Sequence, residues 1–126
     1  MNENDTYQHA VVTGGASGIG EAIAQHLAAA GMRVTLMGRN PERLLATAKR
    51  LKAASQQVDI TNADDVQRGF TAAVAANGPV NILVNNAGAA ESCTFSKMDN
   101  ELWDRMLAVN LTGTYLCTKA VIVFMS

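Results

Sequence analysis

Short apolar runs and apolar stripes at helical spacing alternate along this chain, and the alternation points to a parallel sheet wrapped by helices. His9 to Thr13 (HAVVT) reads as a strand, and Arg33 to Met37 (RVTLM), Gln57 to Ile60 and Val80 to Val84 (VNILV) read as three more. The last of these is nearly all apolar, which suits a parallel strand covered on both faces. A first helix carries Ile19, Ile23, Leu27 and Ala30 on one side and ends at Gly31, which can adopt the left-handed cap. A second, striped by Leu44, Leu45, Ala48 and Leu51, opens at Asn40-Pro41-Glu42. There Asn40 caps, Pro41 presets φ and Glu42 favours the positive dipole end. A third, with Val66, Phe70, Ala73 and Val74 inward, opens at a capping box, Thr61-Asn62-Ala63-Asp64, and stops at Asn77-Gly78-Pro79. A last long helix starts near Ser96-Lys97-Met98-Asp99 and runs to the end of the sequence. Right-handed crossovers join such units into a doubly wound α/β sheet. At 126 residues, 48% hydrophobic and 17% charged, the chain is sized for one such domain.

Charge and apolar runs narrow the partners. Ten Lys and Arg against 11 Asp and Glu leave a net charge of -1, so no basic field gathers phosphate backbones, and nucleic acid is not an expected partner. The longest uninterrupted apolar run, Ala120 to Met125, is far below the roughly 20 residues of a membrane span. The start, Met1-Asn2-Glu3-Asn4-Asp5, resembles no secretory signal, so the expectation is a cytoplasmic protein without a membrane partner. Cys93 and Cys117 form no CxxC pair and read as small side chains kept as thiols. His9 and His26 have no acid at triad or metal spacing and read as structural or exposed, and Asp64-Asp65 suits a helix start better than a metal site.

The turn after the first strand carries the chemistry. Gly14, Gly15, Gly18 and Gly20 fall within seven residues between a strand and a helix, where main-chain N–H groups and a positive helix end can hold a pyrophosphate. An ordinary tight turn needs one or two glycines. Gly15 and Gly20 have the separation of P-loop glycines, but Glu21 follows where that loop requires Lys, and its carboxylate would repel phosphate. An NTPase is therefore disfavoured.

Three motifs in order then carry a resemblance: Thr13-Gly14-Gly15-Ala16-Ser17-Gly18-Ile19-Gly20, Asn85-Asn86-Ala87-Gly88, and Asn110 within Val109-Asn110-Leu111-Thr112-Gly113. The chain from about His9 onward is similar to the short-chain dehydrogenase/reductase family. A methyltransferase glycine loop would not bring the second and third motifs with it. The resemblance implies a Rossmann-type sheet in the order 3-2-1-4 that binds NAD or NADP. Gly14, Ser17, Gly18, Ile19 and Gly20 would lie around the pyrophosphate, Asp59 and Ile60 beside the adenine, and Asn86, Ala87 and Gly88 along the cofactor's central portion. Asp59 reads equally as a strand-end carboxylate ahead of a helix cap. Dinucleotide folds that select NAD place an acid after the second strand, whereas this chain has Gly38-Arg39 there, so NADP is favoured, with NAD possible. Arg39 can fork onto a 2′-phosphate or lie flat on the adenine.

The family's reaction, implied here by resemblance, moves hydride between nicotinamide and a carbonyl or secondary alcohol. It uses an Asn-Ser-Tyr-Lys set in which Tyr transfers the proton. Of that set only Asn110 is placed. Tyr115-Leu116-Cys117-Thr118-Lys119 satisfies Tyr-xxx-Lys, but it begins five residues after Asn110 on the same expected helix, so Tyr115 reads as a helix-face packing residue. The expected domain, 1–126, is thus the NAD(P)-binding half of an enzyme, ending after the fourth strand and its following helix, with the catalytic second half absent. A carbonyl or alcohol substrate and a homo-oligomer shielding the open sheet edge are the expected partners. A half-domain that binds a nucleotide or a partner without turnover is the alternative.

Overall fold

A computed structural model describes residues 7–16, 18–86 and 99–125. Four strands, β1 (His9–Thr13), β2 (Arg33–Gly38), β3 (Ala54–Gln57) and β4 (Ile82–Asn85), stand in the order β3-β2-β1-β4, all pairs parallel. The helices are α1 (Gly18–Ala29), α2 (Pro41–Leu51), α3 (Ala63–Asn77), α4 (Asn100–Leu107) and α5 (Gly113–Phe124), the last two joined by a π-helical turn, Ala108–Thr112. The expected Rossmann-type α/β class and strand order are both observed.

The period of two along β1 and β2 builds two cores. Val11 and Met37 face one side and pack with Val66, Phe70 and Ala73 of α3 and Cys117 and Val121 of α5. Val12, Val34 and Leu36 face the other and pack with Ala24 of α1 and Leu44 and Ala48 of α2. Phe70, fully buried and stacked on Phe124 with 6.4 Å between ring centres, contributes on the order of 1.5–3 kcal/mol by burial alone. Cys117 sits in this core, where burial pushes its thiol up to about 11, consistent with a small packing side chain; Cys93 lies outside the described residues.

Several boundaries differ from expectation for local reasons. β3 is Ala54–Gln57, not Gln57–Ile60. Its polar residues pair with β2 from Thr35↔Ala54 to Gly38↔Gln57, while the apolar Val58 and Ile60 leave the ladder and enter the core. β4 begins at Ile82, since the Val80 N–H bonds the Phe124 carbonyl at 3.1 Å instead of a neighbouring strand. Ile82, Leu83 and Val84 are only half-buried and Asn85 is exposed, because among the described residues β4 has β1 on one side only. On α1 the buried residues are Gly20 and Ala24; Ile19 points outward at 73% exposure, and Ala30, exposed, lies one residue beyond the helix. On α2, Thr47 is buried and Leu45 exposed. α3 is capped by Asn62, whose side chain accepts from the Asp65 N–H at 2.9 Å, because the Thr61 hydroxyl donates to Asp59. Gly31 at φ 92, Asn40 as the cap of α2 and Gly78 at φ 84 all stand as expected.

The expectation that no stretch is long and apolar enough to span a membrane needs correction. Asn100–Phe124 forms one helical run of 25 residues with a mean hydropathy of 1.5 in its most apolar stretch, long and apolar enough by length and composition to cross a membrane. Counting only uninterrupted apolar residues missed it, since polar residues punctuate the run. Here its Gly113, Cys117 and Val121 are buried against the sheet side of the domain, while Leu111, Ile122 and Val123 are exposed.

His9, 1% exposed, locks the end of the sheet opposite the glycine turn. Its main chain exchanges two bonds with Asn81, its Nδ1 lies 2.9 Å from the Gly78 carbonyl, and its Nε2 lies 2.7 Å from the Thr35 hydroxyl. A carbonyl only accepts, so Nδ1 carries the proton and Nε2 accepts from Thr35. Burial, with help from the charge of Arg33, holds the imidazole below its ordinary 6.5. The unfolded chain therefore takes up a proton that the folded one refuses, and stability contributed above pH 6.5 is lost as pH falls below it. Urea midpoints measured from pH 7.5 down to 5 are expected to fall in the parent and to flatten in His9→Gln. Equal slopes in the two chains would remove His9 from the account.

Candidate functional site

The carboxyl ends of β1, β2 and β4 meet at the glycine turn. The Gly14 N–H bonds the Met37 carbonyl at 2.8 Å, and a φ of 64° lets the chain swing away from β1 there. At the start of α1, Gly20 is pressed so closely on the turn that a Cβ would lie 2.2 Å from the Gly14 carbonyl oxygen and 2.3 Å from Asn86 Nδ2. Asn86 is held by Gly14 and by Thr13. Its Nδ2 donates to Gly14 O at 3.2 Å and its N–H to Thr13 Oγ1 at 3.1 Å, and that hydroxyl donates in turn to Val84 O at 3.3 Å. Two motifs separated by some seventy residues are thus one interlocked unit. Ile19 stands exposed at the mouth of the turn. Ser17, Ala87 and Gly88, expected in the same site, lie outside the described residues, as does most of the loop after β4.

The ends of β2 and β3 carry a second feature. Arg39, Gln57, Asp59, Asp65 and Arg68 line a cavity of about 400 Å³. Asp59 stands both in the turn ahead of α3 and in the wall of this cavity. Its Oδ1 accepts from the Thr61 hydroxyl at 2.6 Å and the Thr61 N–H at 3.0 Å, the turn that leads into α3. Those bonds, and the nearby charge of Arg39, hold the carboxyl below its usual range. Neither bond uses Oδ2, and the residue forms part of the cavity wall. Ile60 is only 6% exposed, and a Cβ on Gly113 would lie 2.5 Å from its Cδ1, so its side chain belongs to the core and only its main chain can face a ligand. Gln57, Asp65 and Arg68 were not expected in the site. Asp65 and Arg68 stand at the ion-pair spacing of a helix, but nothing local says that they face Arg39.

Asn110 sits in the π-helical turn between α4 and α5, where its carbonyl accepts from Thr114 Oγ1 at 3.1 Å. Such turns recur at functional sites. The expectation that Tyr115 packs against the domain is corrected. It is 57% exposed, with Lys119 Nζ 3.4 Å from its hydroxyl, because the inward line of α5 runs through Gly113, Cys117 and Val121. Among the described residues no group of three His, Cys, Asp or Glu is arranged to hold a metal.

The family model described as short chain dehydrogenase matches residues 8–126. A ketoacyl reductase of the granaticin polyketide synthase of Streptomyces violaceoruber is 42% identical over 118 residues, covering 90% of this chain and 43% of that protein. The 3beta-hydroxysteroid dehydrogenase 2 of Eggerthella lenta is 39% identical over 125 residues, covering 94% of this chain and 48% of the relative. Among solved structures, a variant actinorhodin polyketide ketoreductase with NADPH superposes with a TM-score of 0.90 at 35% identity, covering 97% of this chain and 48% of the other. The chain spans about half the length of the relatives it matches. With the glycine turn and Asn86 joined by the fold and the family pattern running along nearly every residue, the chain belongs to the short chain dehydrogenase family.

Proposed function

We propose that this chain is the nucleotide-binding part of an NAD(P)-dependent oxidoreductase that interconverts a carbonyl and a secondary alcohol. The observation that carries the reading is the reversal of strand order at β1: the chain steps outward to β2 and β3, then returns to place β4 on the other side. Sheets of this kind take ligands outside the carboxyl ends of the strands at such a reversal, and the Gly14–Gly20–Asn86 unit stands there. The close approaches suit a dinucleotide. A side chain at Gly20 would fill the contact between turn and helix, and main-chain N–H groups at the start of α1 would face a pyrophosphate.

In this reading Gly14, Ser17, Gly18, Ile19 and Gly20 hold the pyrophosphate, and Asn86, Ala87 and Gly88 border the cofactor's central portion. Asp59 Oδ2 and the Ile60 main chain meet the adenine, Arg39 meets a 2′-phosphate, and Asn110 supports the proton path. The cofactor, when bound, supplies or takes up a hydride. NADP is the preferred form, and the relative solved with NADPH supports that choice. The ketoacyl and hydroxysteroid names of two relatives both describe a ketone and alcohol pair. The exposed Leu107, Leu111, Ile122 and Val123 support a homo-oligomer, and equally the alternative of a half-domain that docks a partner. A cytoplasmic location, with α4 and α5 as domain helices, completes the proposal.

Arg39→Ala tests the cofactor choice. Titration calorimetry is expected to show NADP weakened by about 1.5–3 kcal/mol, the worth of hydrogen bonds to a charged group, and NAD much less. Equal losses for both cofactors would mean that Arg39 merely stacks on the base.

A further inference from the structure

The five residues around the cavity at the ends of β2 and β3 form one bonded network, and Arg68 is its hub. From α3, Arg68 Nη2 donates to the Gln57 carbonyl at the end of β3, and the Gln57 side-chain amide donates to the Arg39 carbonyl at 3.1 Å. On its other side Arg68 grips Asp65 Oδ1, with Nε at 2.9 Å and Nη2 at 2.8 Å. The second oxygen of Asp65 accepts the Asp59 N–H at 2.6 Å. One guanidinium thus reaches, through one intermediary each, Arg39, the first residue after β2, and Asp59, the second after β3.

The ordinary account of Arg68 is a surface ion pair at i,i+3 spacing, half exposed and worth little. That account covers Asp65 but not the bond to a main-chain carbonyl eleven residues away, which requires the helix and the strand end to be held in one geometry. Planar donors in a fixed fork suit that double task, whereas an ammonium is a single point charge.

Resting on the cofactor reading above, we infer that Arg68 is a positioning residue: through Asp65 and Gln57 it holds Asp59 and Arg39 so that an adenine amino group and a ribose 2′-phosphate are gripped together. In this role Arg68 acts through Asp65 and Gln57, to which its guanidinium is already bonded. Its effect is on the accuracy with which the pocket distinguishes bases and phosphates.

The test uses the full chain and four probes: adenosine 2′,5′-bisphosphate, its hypoxanthine counterpart, 5′-AMP and 5′-IMP. Hypoxanthine has a carbonyl where adenine has its amino group, so a well-placed Asp59 carboxylate should favour adenine by roughly tenfold or more. In Arg68→Ala the adenine preference and the preference for the 2′-phosphate are both expected to fall toward one. Arg68→Gln, which keeps a donor for the Gln57 carbonyl but lacks the fork onto Asp65, should lose the base preference and keep more of the phosphate preference. It also serves if Arg68→Ala melts too low for titration. A merely structural role would weaken all four probes alike and leave both ratios unchanged, and that result would overturn the inference while the cofactor reading stands. If the parent chain binds none of the four, the cofactor reading falls and this inference falls with it.

Discussion

Purified as its 126 residues and mixed with NADPH and a panel of ketones, the chain is expected to show no turnover above background. A positioned proton donor contributes roughly 10²- to 10⁴-fold to such a reaction, and neither tyrosine of this sequence is placed to be one. Tyr7 precedes β1 and so lies at the end of the strand opposite the glycine turn, about 17 Å away for a strand of five residues. Tyr115 does satisfy Tyr-xxx-Lys with Lys119, and the two side chains meet, with 3.4 Å between Nζ and Oη. That contact is what any i,i+4 pair on a helix surface makes. The tyrosine is 57% exposed, turned away from the buried line of Gly113, Cys117 and Val121. Tyr115→Phe should therefore change nothing measurable. NADPH consumption that the parent supports and Tyr115→Phe abolishes would show that the surface pair is the proton donor after all.

Gly20→Ala is expected to be the most damaging single change in the glycine turn, lowering stability by roughly 3 kcal/mol and removing nucleotide binding. The added methyl would stand 2.2 Å from the Gly14 carbonyl oxygen and 2.3 Å from Asn86 Nδ2. Side-chain movement cannot relieve the first clash, since the obstacle is main chain pinned to Met37 by a 2.8 Å bond. Relief by moving Asn86 would break its bond to Gly14 and loosen the join between β1 and β4. Gly18 supplies the contrast. A Cβ there meets nothing within 4 Å, and its φ of +59° costs an ordinary side chain about 1–2 kcal/mol. Asparagine, which tolerates that conformation, should reduce the cost further. Denaturant midpoints and NADP titrations of Gly20→Ala, Gly18→Ala and Gly18→Asn should rank the three in that order of damage. A Gly20→Ala chain as stable as the parent would show that α1 does not pack on the turn as described.

By itself the sequence determined those features whose causes are local. HAVVT and RVTLM are strands because they are short and apolar, and Asn40 with Pro41 starts α2 because the cap and the preset φ lie in adjacent residues. The density of glycines around Gly14 announced a close approach of main chain to something, and three ordered motifs pointed to the family that the comparison then established. Tertiary structure decided the rest. Ala54–Gln57 is a strand only because β2 offers it a ladder, and no property of Ala-Ser-Gln-Gln foretells a neighbour's unpaired carbonyls. Which glycine is indispensable depended on Gly20 meeting Asn86, a contact that exists only once β4 has crossed to the far side of β1. The outward turn of Ile19 followed from the same packing, which took Gly20 and Ala24 as the inner face of α1 and left the larger apolar side chain at the mouth of the site. Arg39, Asp59 and Arg68 come from three different segments, and their shared cavity is a product of parallel crossovers that bring strand ends together. Local propensity acts between residues a few positions apart, whereas a binding site at strand ends is assembled across the whole chain, so only the folded sheet could bring its members together.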